Sequence, residues 1–186
     1  MATLIALLGD FHIPTRAYEI PPKIVNLIYS RKPHIILCTG DLIERYVLEE
    51  LMELADKVVV VEGNMDRIKL PRSQVVRVED LKIGLIHGHQ VFPRGNISKL
   101  AQLATRMKVD VLVSGHTHNP FIEEMRKQER KVLLLNPGSA TGVWGGGGGS
   151  LIPAFMILEV HRNRVKALLY EGYETLRLSK VREFEF

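Results

Sequence analysis

Five short apolar runs punctuate the first two thirds of the chain, and each stops at a polar cluster of one kind. Residues 4–8 run into Gly9-Asp10-Phe11-His12, residues 35–38 into Thr39-Gly40-Asp41, and residues 58–61 into Glu62-Gly63-Asn64-Met65-Asp66. Residues 83–86 lead to His87-Gly88-His89, and residues 111–113 to Ser114-Gly115-His116-Thr117-His118. Short aliphatic and β-branched runs bounded by glycine and polar residues predict buried strands. Stretches of helical period lie between them. Pro21-Pro22 opens a helix over 23–30, because proline's fixed φ suits the first helical turn. Val47, Leu48, Leu51, Met52, Leu54 and Ala55 form one apolar stripe in 44–57, and Ile97, Leu100, Ala101, Leu103, Ala104 and Met107 another in 96–108. Strands alternating with such helices predict βαβ units and a mainly parallel sheet.

The remaining apolar segments come in close pairs. Residues 75–78 and 82–86 flank Glu79-Asp80, residues 121–125 and 132–135 flank a charged turn, and residues 154–160 and 165–170 flank 161–164. These are hairpin spacings. Two packed sheets with helices outside would use every segment.

Ligands of parallel sheets gather beyond the carboxyl ends of the strands, which is where the polar clusters fall. Seven residues there are candidate metal ligands: Asp10, His12, Asp41, Asn64, His87, His116 and His118. Imidazole mixed with carboxylate suits first-row ions such as Mn, Zn or Fe better than Mg or Ca. Seven donors exceed one coordination shell once room is left for water and substrate, so two ions sharing a carboxylate fit better. Such pairs, about 3.5–4 Å apart, clamp the attacking and leaving oxygens of a phosphoryl transfer. Asp10 and Asp41 would cancel only part of the ions' charge, and the residue suits an anionic phosphate ester. Asn64 ligates without cancelling any of it.

Composition narrows the setting. A chain of 186 residues is most simply a single domain, 1–186, and 46% apolar with 25% charged residues is soluble globular composition. The apolar start is interrupted by Asp10, lacks a basic flank and is too short for a signal core or a membrane span. One cysteine, Cys38, inside an apolar run, excludes an internal disulfide and fits a reducing, cytoplasmic location. The net charge of +4 would admit nucleic acid. However, Arg126-Lys127 and Arg130-Lys131 are interleaved with Glu123, Glu124 and Glu129, so the cations form no patch, which argues against that partner. Gly145–Gly149 reads as a flexible loop rather than a phosphate cradle, since no strand-to-helix context surrounds it. It is either native or an engineered replacement for a longer loop.

Asp10-x-His12, Gly40-Asp41, Gly63-Asn64, His87 and Gly115-His116-x-His118 together resemble the signature of the calcineurin-like metallophosphoesterases, along the whole chain. The resemblance implies a four-layer α-β-β-α sandwich. It implies one metal on Asp10, His12, Asp41 and His118 and a second on Asp41, Asn64, His87 and His116, with Asp41 bridging. Within that superfamily, Gly9-Asp10-Phe-His-Ile-Pro14, His34-Ile-Ile-Leu-Cys-Thr-Gly40, Lys82-Ile-Gly-Leu-Ile-His-Gly-His-Gln90 and Asn136-Pro-Gly-Ser-Ala-Thr-Gly142 are similar to one branch. That branch is the small phosphoesterase-fold subunit of retromer, a vacuolar protein sorting complex. It implies docking on a large helical-solenoid subunit through the apolar bulge beside the metal loops, here Val91, Phe92 and Pro93. Leu151 and Ile152, with Trp144, form a second apolar loop region. A groove for short hydrophobic peptides on the far face and a peripheral place on endosome-like membranes are implied too.

Two departures bear on activity. Eukaryotic members of that branch often carry Asn at the place of Asp41 and Asp at that of Asn64, whereas this chain has the enzyme-like pair. Many active phosphoesterases carry a His after the Gly-Asn as general acid; here Met65 stands, a thioether with no proton to give. His89 is the candidate replacement acid, and Asp41 the carboxylate on which catalysis would turn. Two functions follow. One is a retromer-type cargo-sorting coat subunit that keeps a two-metal site in its binding surface. The other is a metal-dependent phosphodiesterase of small nucleotide or related esters.

Overall fold

Alternation along each central strand divides its side chains between two cores. In the computed structural model, which describes residues 2–127 and 130–186, β1 (Thr3–Leu8) sends Ile5 and Leu7 to one core and Ala6 and Leu8 to another. The chain continues through α1 (Pro22–Arg31), β2 (Ile35–Cys38), α2 (Arg45–Met52), β3 (Lys57–Val60), β4 (Ser73–Val78), β5 (Leu81–Ile86) and α3 (Ile97–Met107). It ends with β6 (Val111–Val113), β7 (Phe121–Lys127), β8 (Arg130–Asn136), β9 (Ala154–His161), β10 (Arg164–Glu171) and β11 (Arg177–Glu185).

The strands form two sheets, ordered β11-β10-β9-β1-β2-β3 and β4-β5-β6-β8-β7. β1, β2 and β3 are parallel, as are β5, β6 and β8, while the hairpins add antiparallel strands at the flanks. Ile5, Leu7, Leu37 and Val59 of the first sheet share an apolar core with Ile83, Leu85, Val111, Leu133 and Leu135 of the second. Behind the first sheet, Ala6, Leu8, Ile36 and Phe155 pack on Ile24 and Ile28 of α1 and on Val47 and Leu51 of α2. Behind the second, Ile86, Leu112, Val132 and Leu134 cover Leu100, Ala101 and Ala104 of α3. The order helix, sheet, sheet, helix is the four-layer sandwich that the motifs imply.

Local chemistry explains the helix ends. Proline begins α1, and the Asn96 side chain accepts from Lys99 N at the start of α3. α2 corrects the expectation of a helix over 44–57: it stops at Met52, because β3 begins at Lys57 and the chain must reach the sheet within four residues. Leu54 and Ala55 pack against the first sheet's outer core from the connection instead. β11 was not foreseen; it is a charged edge strand with little apolar signal. The tip of the turn between β7 and β8 lies outside the described residues. No helix among the described residues is long and apolar enough to cross a membrane.

Candidate metal centre

The loops that leave the parallel strands bond to one another at one end of the sandwich. Asp10 N donates to Gly40 O and His12 N to Asp41 O, joining the loops after β1 and β2. Gly115 N donates to His87 O, joining those after β5 and β6. His116 N donates to the Asp10 carboxylate at 2.9 Å and thereby ties one sheet's loops to the other's.

The backbone there is unusual. Asp10 (φ 53°), His12 (52°), Asp41 (55°), His116 (68°) and His118 (55°) all take the left-handed conformation. Asp and His tolerate it better than most residues, yet each such residue costs on the order of 1–3 kcal/mol and persists only where the surroundings enforce it. Asp66 does much of the enforcing. Its carboxylate accepts from Gly63 N (2.7 Å), Ile43 N (2.8 Å) and Asp41 N (2.9 Å), fastening the loop after β3 to the loop after β2. Gly63 has to be glycine, since a Cβ there would lie 2.1 Å from Asp41 Oδ1. Ser139 and Thr141, after β8, buttress the backbone carbonyls of Asp10 and Phe11.

Two imidazoles have their tautomers fixed by carbonyls that can only accept. His87 Nδ1 lies 2.8 Å from Thr39 O, and His118 Nδ1 lies 2.7 Å from Val143 O, so the proton of each neutral ring sits on Nδ1. Each Nε2 is then a bare lone pair. His87 Nε2 faces Asp41 Oδ2 at 3.4 Å and Asn64 Oδ1 at 3.0 Å. His118 Nε2 faces Asp10 Oδ1 at 3.6 Å and His12 Nε2 at 3.0 Å. Asn64 could turn its amide to donate, but Asp41, with its carboxyl at about 6, has no proton to offer at neutral pH. His12 Nε2 reaches the same Asp41 Oδ2, also at 3.4 Å, while its buried Nδ1 has no partner among the described residues. The His87 Nε2 lone pair and the Asp41 carboxylate, 3.4 Å apart with no proton between them, suit a cation at that point.

Electrostatics agree. Burial, and after it the charge of Asp41, raises the Asp10 carboxyl well above the usual range, and burial lifts Asp41 to about 6. Burial lowers His12 to about 3 and His116 and His118 to about 4, and pushes His87 well below an ordinary imidazole. At neutral pH the imidazoles are therefore uncharged, and Asp41, with its carboxyl at about 6, is ionised. The donor set fits divalent transition ions.

The candidates divide by sheet. Asp10, His12, Asp41 and Asn64 follow β1, β2 and β3; His87, His116 and His118 follow β5 and β6 of the other sheet. Two groups have ligand atoms all within 4.8 Å of one another: Asp10, His12 and His118, and Asp10, Asp41 and His87. Asp10 is common to both, but it approaches His87 on Nδ1, at 4.0 Å, the nitrogen already committed to Thr39. Asp41 faces the Nε2 of His12 and the bare Nε2 of His87, so it is the better shared ligand. His116 lies at the rim, its ring 5.1 Å from that of His87, and Asn64 is exposed. His89 is exposed with its ring 5.4 Å from His87, and Met65 is 40% exposed while its N–H holds Asp41 Oδ1 at 2.8 Å.

The partner candidates separate. Val91 is buried and packs with Ile86 and Leu100 in the α3 core, which corrects its expected place on the docking surface of this bulge. Phe92 is 80% exposed, and Leu151 and Ile152 are partly exposed. Residue-type reasoning passed over Asp66, although it closes the Gly63-Asn64-Met65-Asp66 turn where an Asp side chain commonly bonds nearby backbone. It also passed over Arg16 and Arg94, whose partners are backbone carbonyls of distant residues.

Known proteins place this arrangement. The chain is 47% identical over 138 residues to a probable metallophosphoesterase of Methanocaldococcus jannaschii, a match covering 74% of this chain and 68% of the relative. The structure of Vacuolar Protein Sorting 29 from Cryptosporidium parvum superposes with a TM-score of 0.89 at 31% identity, covering 100% of this chain and 99% of that one. A zinc-complexed Vps29 from Entamoeba histolytica superposes with a TM-score of 0.84 at 33% identity, covering 98% of each chain. Residues 3–163 match the calcineurin-like phosphoesterase superfamily domain. That match takes in strands of both sheets and every candidate ligand between them, and the chain belongs to the calcineurin-like phosphoesterase superfamily.

Proposed function

We propose that this protein is a metal-dependent phosphodiesterase whose centre holds two divalent transition ions, Mn, Zn or Fe. The observation that carries this reading is Asp41 Oδ2, 3.4 Å from the Nε2 atoms of His12 and His87, which descend from opposite sheets. Asp10, His12, Asp41 and His118 would hold one ion, and Asp41, Asn64, His87 and His116 the other. When bound, such ions polarise a phosphoryl oxygen and make water nucleophilic near neutral pH. The zinc-complexed Entamoeba neighbour and the probable metallophosphoesterase relative support the reading.

The chain's own residues supply orientation. The Thr39 and Val143 carbonyls aim the His87 and His118 nitrogens, and Asp66 and Met65 N fix Asp41. Proton donation is the weak point, because the Met65 side chain gives none. The exposed imidazole of His89, its ring 6.3 Å from that of His116, is the nearby group able to protonate a departing oxygen. Esters with stabilised aryl leaving groups need this help least. The Mn-loaded protein is therefore expected to cleave an aryl phosphodiester. Met65→His is expected to raise the rate on alkyl diesters by about tenfold or more, toward the 10²–10⁴ that a placed general acid contributes, and to change aryl rates little. Absence of Mn-dependent turnover of any aryl diester would remove the enzyme reading.

A second reading rests on the Vps29 likeness and on Phe92, a large apolar side chain left in solvent beside the His87 loop. Here the protein is a retromer-type cargo-sorting subunit that docks Phe92 on a helical-solenoid partner and takes up short hydrophobic peptides elsewhere. Leu151 and Ile152 form an alternative docking face, and the partner would carry the protein to endosome-like membranes. Phe92→Asp is expected to weaken solenoid binding about thirtyfold or more, the effect of losing an interface hot spot of about 2 kcal/mol. Its melting temperature should match the parent's, because the side chain is already exposed. Unchanged affinity in a calorimetric titration moves the docking face to Leu151-Ile152.

A further inference from the structure

Three consecutive carbonyls of the glycine-rich loop accept hydrogen bonds from side chains of the ligand loops. His118 Nδ1 donates to Val143 O, Arg16 Nη1 to Trp144 O and Arg94 Nη2 to Gly145 O, each at 2.7 Å. Arg16 belongs to the turn that closes on His12 O, and Arg94 also donates to His116 O. Gly145 is pressed so closely on His118 that a Cβ would stand 2.5 Å from its ring. Trp144 is thus held at the mouth of the centre by its backbone, between two residues that touch a ligand.

Its side chain does not use that placement for packing. The indole is 61% exposed, with the Arg16 guanidinium 5.6 Å from its ring centroid. A loop anchor would turn the ring inward, but here the anchoring is done by the three carbonyls. What remains is a flat, electron-rich face fixed beside the phosphoryl site, backed by one arginine and neighboured by a second. The acids nearby, Asp10, Asp41 and Asp66, are engaged by backbone N–H groups. Aromatic rings stack on such faces, and guanidinium groups hold phosphate.

We propose that Trp144 and Arg16 form a subsite for the non-reacting end of the substrate, so that the favoured esters carry a flat heteroaromatic ring close to the phosphate, as nucleotides do. The proposal rests on the phosphodiesterase reading of the adjoining centre and assigns the residues that would select nucleotide-like esters. Stacking holds the ring, and Arg16 holds negative charge on the ester.

Trp144 is the sole tryptophan of the chain, so its emission reports on this loop alone. Adenosine 5′-monophosphate is expected to quench that emission saturably in zinc-loaded protein. Ribose 5-phosphate, which has the phosphate without the ring, is expected to bind about tenfold more weakly, the usual scale of one base–aromatic stack, and to leave the emission unchanged. By calorimetry, Trp144→Ala should bring the adenosine monophosphate affinity down to that of ribose 5-phosphate, and Trp144→Phe should restore most of the difference. Arg16→Gln should weaken both ligands. Equal affinity for the two phosphates with unchanged emission overturns the subsite. Quenching by adenosine monophosphate without any metal-dependent turnover leaves the subsite standing and removes the phosphodiesterase reading; turnover without an adenine preference does the reverse.

Discussion

Asp41→Asn is expected to abolish tight binding of divalent ions, and with it all metal-dependent phosphodiester cleavage, while stabilising the metal-free protein at neutral pH. The amide keeps an oxygen for Met65 N–H and tolerates the left-handed backbone at this position, so the change removes charge with little else. Ion affinity should fall by more than about 100-fold, beyond the 10–100-fold typical of losing a group that merely orients a ligand. Stability moves the other way. Burial raises the folded carboxyl to about 6, against 3.8 for an ordinary aspartate. Below the lower value both states hold the proton and nothing is lost. As pH rises through the higher value the folded state is penalised, by on the order of 3 kcal/mol at neutral pH. The metal-free variant should therefore melt above the metal-free parent at pH 7.5, with the gap narrowing below pH 6 and closing toward pH 4. Added zinc should reverse the ranking, because only the parent gains binding free energy. Unchanged zinc content in the variant would remove Asp41 as the shared ligand.

Asp66→Ala is expected to cost about 3 kcal/mol of stability and about 10–100-fold in ion affinity, though Asp66 itself would touch no ion. Three backbone N–H groups, those of Asp41, Ile43 and Gly63, would lose a charged acceptor at once. Hydrogen bonds to charged acceptors are each worth about 1.5–3 kcal/mol, and the site is open enough for water to recover part of that. Freed from this anchor, Asp41 has less reason to stay in its left-handed conformation, so the ligand geometry should loosen with the fold. Urea melts and a zinc titration measure the two effects together. A variant with parental stability and affinity would mean that water replaces the carboxylate fully.

The parallel strands and α3 were legible because their signal is local: apolar runs of fixed period ending in glycine and polar residues. Asn96 and Lys108, the expected limits of the third helix, are its caps. β11 escaped because an edge strand meets solvent along most of its length, and Leu178, Val181 and Phe184 fall three apart rather than at every second residue. The extent of α2 escaped because Leu54 and Ala55 continue the helical stripe while the chain has already turned toward β3. At the site, the metal-type side chains could be read from residue type and strand-end position. Asp66, Arg16 and Arg94 could not, because each acts on main-chain groups brought near by the fold, and main-chain groups have no letter in a sequence. Val91 beside Phe92 makes the same point: adjacent apolar residues, one in the α3 core and one in water, distinguished only by the direction each faces.

The split of the ligand candidates between two sheets carries a mechanical consequence. Asp10, His12, Asp41 and Asn64 ride on one sheet and His87, His116 and His118 on the other, with apolar side chains such as Leu7 and Leu85 between them. Ions held by both groups would act as a clasp across that interior, drawing the sheets together at one edge. The coupling is reciprocal. A sub-ångström slide of one sheet over the other, from a contact on a distant helix or a changed methyl group midway, would open or close the clasp. Ion affinity would then gauge the spacing between the two halves, and a contact on the outside of the sandwich that shifted one sheet would register at the ions without reaching them.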